Sequence, residues 1–290
     1  MRNYAHIGID CGATYCRATW SDGIRRVDHR APGANFTADP QGCAAAIYAA
    51  LQVLAEKADL SLRELWTLPT YAGVAGVTRP EDAQELAQVL PFDHLQVEDD
   101  RRAMIMGALD GRDGFVAALG TGSFFVRSFG DDISAIGGWG IAVGDEASGA
   151  WLGRSALSMA LWAHDGLDPQ TDMSRTILTE MNGPKGVIEF ARTARPDEFA
   201  RIAPSVCALA EAGDPGAQLL MRRGAKWIGR ALSTLGYEKG QWICLTGGIG
   251  ESYKPYLNEK FSSDLRKPVG TALDGALVLA QTVVQSGVPA

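Results

Sequence analysis

The chain has 290 residues, of which 46% are hydrophobic and 21% charged, so it has the composition of a soluble globular protein and the length of two domains. Its net charge of −7 argues against nucleic acid or an anionic membrane as a partner, because binding to either needs a basic surface. The N-terminus has no long apolar region and no apolar run could cross a bilayer, so we expect a cytoplasmic protein. The five cysteines include no C-x-x-C pair, so we expect reduced thiols.

A short β-hairpin occurs twice, with an offset of about 110 residues between the copies. Residues 6–17 and 115–127 each contain an apolar strand, a turn of small or hydroxyl-bearing residues, and a second strand that runs into an arginine. Such a turn leaves no bulk over the backbone, so its N–H groups and hydroxyls can converge on a phosphate chain. Either turn alone reads equally well as a plain tight hairpin. Two at matched positions, the first led by Asp10, favour a nucleotide clamp.

After the first hairpin, helices and strands alternate. We predict a loop over 33–40, then a helix with Ile47, Leu51 and Leu54 on one face. Next come a strand within 66–77, a helix opening at 79–82, a strand over 95–97 and a helix over 100–109. Strands separated by helices predict a largely parallel sheet with both faces covered.

The second half opens with its own hairpin at Gly114 and is richer in helix. We predict helices over 146–164, 197–212 and 215–235, a buried strand over 242–245 and a last helix over 273–286. Residues 110–114 form the only stretch that reads as a domain junction. The predicted domains are therefore 1–111 and 112–290, and a return of the last helix towards the N-terminal domain is left open.

Three turns follow one another in order: Asp10-x-Gly12-x-Thr14, Gly120-Thr-Gly-Ser123 and Thr246-Gly-Gly248. They resemble the two phosphate segments and the adenosine segment of the superfamily that contains actin, hexokinase and heat-shock ATPases. Within its BadF/BadG-type branch, the chain resembles N-acetylglucosamine kinases and bacterial glucosamine kinases. The stretches that carry this second resemblance are 33–35, 75–76 with 79–82 after it, 137–140, 144–149 and 275–277. This resemblance spans nearly the whole chain. It implies an α/β fold of two ribonuclease-H-like, actin-like ATPase domains with a cleft between them.

The resemblance implies phosphoryl transfer from ATP, with Mg²⁺, to the 6-hydroxyl of an amino sugar, either glucosamine or N-acetylglucosamine. Residues 16–18, 190–194 and Pro204 look closer to the bacterial glucosamine kinases. Two other classes stay open: an activator ATPase that drives electrons through an iron–sulfur cluster, and a non-catalytic nucleotide-binding regulator. The activator ATPase is disfavoured because its cluster needs cysteines near the domain junction, and none lies between Cys43 and Cys207. The regulator is disfavoured by Asp100, because binding alone has little need of a base. A homodimer is compatible with the family.

Asp10 and Asp100 match the family's two functional carboxylates. Asp10 is expected to hold Mg²⁺ through water, and its alternative is a cap on its own turn. Asp100 is expected to act as the base that accepts the sugar's proton, and the alternative is that Asp99 or Asp100 serves only as an N-cap. Arg101 and Arg102 are unusual for the family, and they suggest an altered acceptor contact or a lowered pKa of Asp100.

The other site residues are carried over from the motifs. The expected phosphate contacts are Gly12, Thr14, Thr121, Gly122 and Ser123, and the expected adenosine contacts are Gly247, Gly248 and Gly250. The expected sugar contacts are Asn35, Gly76, Asp100, Thr121, Gly122, Asp145 and Gly149. Asp145 reads alternatively as the cap of a helix that begins at Glu146. Gly149 and Ala150 are small enough to leave room for a 2-amino or acetamido group, and Trp139 reads either as a floor of the site or as core.

Overall fold

The structure is a computed structural model that describes residues 5–130 and 132–283. These residues form two compact units, each described here by itself. Residues 112–267 make up the second unit, and the first combines the residues up to Gly111 with those from Pro268 onwards. No helix within the two described ranges is long and apolar enough to span a bilayer.

A five-stranded sheet with the order β3-β2-β1-β4-β5 forms the centre of the first unit. Its strands are β1 (His6–Cys11), β2 (Tyr15–Ser21), β3 (Arg26–Pro32), β4 (Thr70–Val74) and β5 (Leu95–Glu98). β2 pairs antiparallel with β1 and β3, whereas β1, β4 and β5 run parallel. The carboxyl ends of these three parallel strands therefore lie at one edge of the sheet, where α/β proteins place their ligands.

Helices cover this sheet between the strands. They are α1 (Pro40–Ala58), α2 (Leu62–Trp66), α3 (Pro80–Val89) and α4 (Asp100–Leu109). The Asp39 carboxylate caps α1 by accepting a hydrogen bond from the Gly42 N–H. Ile47, Leu51 and Leu54 are fully buried, which confirms the predicted apolar face of this helix.

The second unit repeats the plan with the strand order β8-β7-β6-β9-β10. Its strands are β6 (Gly114–Leu119), β7 (Ser123–Phe129), β8 (Asp132–Gly137), β9 (Ile243–Thr246) and β10 (Leu265–Arg266). β6, β7 and β8 are antiparallel neighbours, and β9 runs parallel to β6. Each unit therefore begins with one of the two predicted hairpins, and the predicted α/β fold is confirmed.

The helices of the second unit carry most of its apolar core. They are α5 (Gly149–His164), α6 (Asp172–Glu180), α7 (Pro184–Thr193), α8 (Pro196–Ala200), α9 (Ala203–Glu211), α10 (Pro215–Thr234), a 3₁₀ helix (Glu251–Tyr256) and α11 (Glu259–Ser262). The helix predicted over 197–212 is wrong in one respect, because it is divided into α8 and α9. Pro204 lies in the first turn of α9, and its missing N–H cannot continue the hydrogen bonding of α8.

The last helix, α12 (Ala272–Ala280), belongs to the first unit, whereas the predicted second domain runs to residue 290. Residues 284–286 of the predicted helix lie outside the described residues. Glycines permit its close packing: a Cβ on Gly8 of β1 would lie 2.6 Å from the Leu277 backbone nitrogen. Gly107 and Gly275 have the same function where α4 and α12 meet, since a Cβ on either would overlap backbone.

Candidate active site

Two carboxylates lie at the carboxyl edge of the first sheet. Asp10 is the next-to-last residue of β1 and is in register with Gly73 of β4, while Asp100 opens α4 directly after β5. A Cβ on Gly73 would lie 3.3 Å from the Asp100 Cα and 3.1 Å from the Ala103 Cβ, so the glycine lets α4 lie against β4. Asp100 is thereby close enough to Asp10 for the two charges to interact.

The Asp10 side chain is buried and only partly satisfied. Arg17, its cross-strand partner on β2, places Nη2 3.0 Å from Asp10 Oδ2, yet the geometry leaves this oxygen without a hydrogen bond. Burial raises the pKa of Asp10, and the Arg17 guanidinium opposes that rise. A buried carboxylate oxygen that lacks a hydrogen-bond donor fits a hydrated Mg²⁺, because a metal-bound water would supply the donor.

Asp99 and Asp100 have different positions at the start of α4. Asp99 is the N-cap, and its Oδ1 accepts a hydrogen bond from the Arg101 N–H at 2.8 Å. Asp100 is the first helical residue, so the capping alternative applies to its neighbour and not to it. The partly buried Asp100 carboxyl remains available for chemistry.

The electrostatics around Asp100 correct one prediction. Burial, and then repulsion from Asp10 and Asp99, raises the pKa of Asp100 to about 7. The lowered pKa expected from Arg101 and Arg102 is therefore wrong. Arg101 forms a 2.9 Å ion pair with Asp99, and Arg102 forms a 2.8 Å ion pair with Glu98, so both guanidinium groups pair with acids other than Asp100.

The remaining sequence-predicted residues of the first unit gather around the turn that follows β1. The Gly12 N–H donates to the Tyr15 carbonyl oxygen at 2.8 Å and closes the hairpin, and the Gly33 N–H donates to the Thr14 carbonyl oxygen at 3.1 Å. A Cβ on Gly33 would overlap the Gly12 carbonyl oxygen, so only glycine lets these segments pack together.

Asn35 lies on the loop that follows Gly33 and packs against the segment after β4. A Cβ on Gly76, whose φ is +90°, would lie 2.5 Å from Asn35 Oδ1. The Thr37 hydroxyl donates to the Gly76 carbonyl oxygen at 2.7 Å, and Asn35 Oδ1 accepts from the Ala38 N–H at 3.2 Å. These contacts fix the Asn35 amide, so all six sequence-predicted residues of the first unit lie at or beside this edge of its sheet.

In the second unit, the turn between β6 and β7 is held by backbone hydrogen bonds. The Gly149 and Ala150 N–H groups at the start of α5 donate to the Gly120 and Thr121 carbonyl oxygens, at 2.8 and 3.1 Å. The Ser123 hydroxyl donates to the Glu146 carbonyl oxygen at 2.7 Å, and the residue is buried. Its hydroxyl therefore stabilises the turn, and its backbone N–H donates to the Asp145 carboxylate, so the contact of Ser123 with phosphate stays a prediction.

Asp145 lies against this turn. A Cβ on Gly122 would be 2.8 Å from Asp145 Oδ2, and Asp145 Oδ1 accepts from the Gly140 N–H at 3.1 Å. Burial raises the pKa of Asp145, and hydrogen bonds from the Gly140 and Ser123 backbone N–H groups oppose the rise. The helix predicted from residue 146 begins instead at Gly149 with Ser148 as its cap, because Asp145 and Ala147 have φ values of +58° and +68°. Asp145 is therefore not a helix cap.

One prediction about the surroundings of Asp145 needs correction, and one open alternative is excluded. A Cβ on Gly149 would lie 3.2 Å from both the Gly120 carbonyl oxygen and the Ala200 Cβ, so the small residue allows close packing and does not leave room for an acetamido group. Its contact with the sugar stays a prediction. Trp139 is 78% exposed, which excludes a core position for it.

The loop after β9 packs against the same turn. Gly247 has a φ of +84°, and a Cβ on it would overlap the Leu119 carbonyl group, while the Ile249 N–H donates to the Leu119 carbonyl oxygen at 3.2 Å. A Cβ on Gly250 would lie 2.8 Å from the Thr246 carbonyl oxygen, whereas one on Gly248 would meet nothing within 4 Å. Packing therefore accounts for Gly247 and Gly250, and Gly248 is where a ligand can approach the backbone.

Arg17 is the site residue that sequence reasoning missed. The sequence does contain a signal for it, because the short turn after β1 sets the register of the hairpin and places residue 17 opposite residue 10. Gly73 was missed as well. Nothing in its sequence neighbourhood shows that α4 lies over it.

Comparisons with known proteins identify the family of the chain. The glucosamine kinase of Vibrio cholerae is 27% identical to the chain over 282 residues, which cover 96% of each protein. The N-acetyl-D-glucosamine kinase of Dictyostelium discoideum is 25% identical over 277 residues, which cover 86% of each. A solved structure from Chromobacterium violaceum, which bears the provisional name N-acetylglucosamine kinase, covers 97% of this chain and 100% of its own, with 29% identity and a TM-score of 0.87. The model of the BadF/BadG/BcrA/BcrD ATPase family matches residues 7–277, and the chain belongs to that family.

Proposed function

We propose that this protein is an ATP-dependent hexosamine kinase that phosphorylates the 6-hydroxyl, with glucosamine as the preferred substrate. The observation that carries the proposal is the pair of carboxylates at one edge of the first sheet: Asp10, buried with an oxygen that lacks a hydrogen bond, and Asp100, with a pKa of about 7. A regulator that only binds nucleotide has no need of a base at that position. The similarity to the V. cholerae glucosamine kinase over nearly the whole chain supports the choice of amino sugar.

In the proposed reaction, the Asp100 carboxylate accepts the proton of the 6-hydroxyl as that oxygen forms a bond to the γ-phosphorus. The bond between the γ-phosphorus and its bridging oxygen breaks, and ADP leaves with the electron pair. Asp10 would hold a hydrated Mg²⁺, and the bound ion would neutralise part of the phosphate charge. Backbone N–H groups of the turns at Gly12 and Gly122 contact the phosphates. Asn35 and Asp145 bind the sugar hydroxyls.

The choice of substrate is tested by steady-state release of ADP from ATP and Mg²⁺ in the presence of glucosamine, N-acetylglucosamine, glucose or N-acetylmannosamine. We expect the highest kcat/KM with glucosamine, by a factor of about 10 or more over N-acetylglucosamine, because an active site fitted to one substituent rejects another. The proposal fails if no sugar raises ADP release above the rate without sugar. Preference for N-acetylglucosamine would retain the reaction and change only the substrate.

The ionisation of Asp100 predicts the pH dependence of the reaction. A general base must be deprotonated, so with a pKa of about 7 kcat/KM should rise about tenfold per pH unit below pH 7 and level off above it. Initial rates measured between about pH 5.5 and about pH 8.5 at constant ionic strength give this profile. A flat profile over that range would contradict the assignment of Asp100.

Replacement of Asn35 by alanine should weaken sugar binding while it leaves the chemical step nearly intact. We expect KM for glucosamine to rise by about 10-fold or more with a small change in kcat, because hydroxyl partners of the sugar are lost. Thr37→Val is the matched control, since it removes the bond from Thr37 to the Gly76 carbonyl oxygen but retains the Asn35 amide. Equal rises in KM for both variants would mean that Asn35 only anchors its loop.

A further inference from the structure

The second unit has a groove between α10 and the chain that follows β9. Its volume is about 580 Å³, which is within the range of pockets that bind small metabolites. Four cationic side chains line it: Arg222, Lys226 and Arg230 from α10, and Lys260 from α11. None of the residues assigned above to phosphate, adenosine or sugar lies in its wall.

The three cations of α10 are four residues apart, so they lie on one face of the helix in successive turns. Like charges at this spacing repel each other and destabilise a helix. A surface that serves only solubility would disperse them or add carboxylates between them. The arrangement thus has a cost that a bound anion would relieve.

Three of the four cationic side chains contact uncharged groups. Arg222 Nη1 donates to Gln218 Oε1 at 3.3 Å, the Arg230 guanidinium lies 5.1 Å from the centre of the Trp227 ring, and Lys260 Nζ lies 5.6 Å from the centre of the Tyr237 ring. These contacts orient the cations without neutralising them.

No carboxylate within residues 5–130 and 132–283 forms an ion pair with Arg222, Lys226, Arg230 or Lys260. Other arginines of the same protein, such as Arg17, Arg79 and Arg201, do pair with an aspartate. In a chain with a net charge of −7, four unpaired cations around one groove are a local exception. Their charge is available to an external anion.

We propose that this groove is a second ligand site, which binds a small phosphorylated metabolite. The phosphate lies between Arg222, Lys226 and Arg230, where guanidinium and ammonium groups supply charge-assisted hydrogen bonds. The Ser233 hydroxyl and the Asn258 amide, also in the wall, offer hydrogen bonds to the rest of the molecule. The size of the groove and the negative charge of the whole chain favour a small ligand over a nucleic acid.

Isothermal titration calorimetry with glucosamine 6-phosphate, inorganic pyrophosphate and ADP tests the proposal, each without Mg²⁺. The test variant carries Arg222→Gln, Lys226→Gln and Arg230→Gln. The matched control is Arg223→Gln, on the same helix but outside the groove wall. We expect the wild type and the control to bind at least one probe, and the triple variant to bind it at least 10-fold more weakly. The probe whose binding is weakened most in the triple variant identifies the ligand class of the groove as a phosphorylated sugar, a bare diphosphate or a nucleotide.

The melting temperature verifies the fold of the triple variant, and it should equal or exceed that of the wild type, because the repulsion between like charges on α10 is removed. If that variant does not fold, Lys226→Gln alone should still weaken binding of the same probe about threefold and lower its salt dependence. The proposal is overturned if the wild type binds none of the probes, or if the folded variants bind them within twofold of the wild type. Because these measurements do not depend on catalysis, their failure would leave the proposed kinase activity untouched.

Discussion

Asp100→Asn should lower kcat by about 10²–10⁴-fold, the usual contribution of a general base, while ATP affinity stays within a few fold of the wild type. Asparagine has the size and helix-starting position of aspartate but cannot accept a proton. Steady-state ADP release with glucosamine measures the loss, and calorimetry measures ATP binding. A variant that retained a tenth or more of the wild-type kcat would refute the assignment of the base.

The same substitution should raise stability, which separates a catalytic Asp100 from a structural one. The pKa of Asp100 is about 7 in the folded chain, above its ordinary value of 3.8, so ionisation opposes folding. This destabilisation is absent at pH values below the unfolded pKa and complete above about pH 7. The neutral asparagine should therefore increase the free energy of unfolding at pH 8 by on the order of 1–4 kcal/mol.

Asp99→Ala is the control for this prediction. It removes the N-cap of α4 and the ion pair to Arg101, so it should cost about 1 kcal/mol of stability and leave most of the activity. The opposite signs of the two stability changes, measured by urea unfolding at pH 8, would distinguish the two neighbouring aspartates. Destabilisation by both substitutions would indicate that Asp100 has a structural role.

Asp10→Asn should abolish the dependence of ATP binding on Mg²⁺ and reduce kcat/KM by about 10²-fold or more, because electrostatic stabilisation of the transferred group depends on the metal. The substitution keeps the size of a buried side chain and removes its charge. Calorimetry of ATP with and without Mg²⁺ measures the effect directly. If Mg²⁺ strengthened ATP binding as much in the variant as in the wild type, the assignment of Asp10 would be wrong.

Arg17→Gln serves as the comparison for this variant. It removes the ion pair to Asp10 Oδ2 but leaves the carboxylate in place. Loss of the guanidinium should raise the pKa of Asp10 further, so activity at low pH should fall more than activity at pH 8. The response to Mg²⁺ should persist at pH 8.

Local patterns in the sequence were sufficient to predict much of the fold. An apolar strand followed by a turn of small residues and a second strand predicts each hairpin, and the spacing of Ile47, Leu51 and Leu54 predicts the buried face of α1. These features depend on residues close together in the chain. The division between α8 and α9 was also accessible in principle, because Pro204 removes a backbone donor wherever it occurs.

The missed features depend on contacts between distant segments. The raised pKa of Asp100 results from burial and from Asp10, which is 90 positions away in the sequence. The immediate neighbours Arg101 and Arg102 therefore led to the wrong prediction of a lowered pKa. The packing of Gly149 against Ala200 likewise depends on where α8 lies. Short motifs select the candidate site residues, but only the fold shows what surrounds each of them.

The most direct test of the central claim is nuclear magnetic resonance of the product formed from glucosamine, ATP and Mg²⁺. Transfer to the 6-hydroxyl predicts a phosphate monoester whose phosphorus is coupled to carbon 6 of the sugar, formed in a one-to-one ratio with ADP. Formation of ADP without any sugar phosphate would contradict the claim and favour the activator ATPase, and a phosphate on another carbon would contradict the position of transfer.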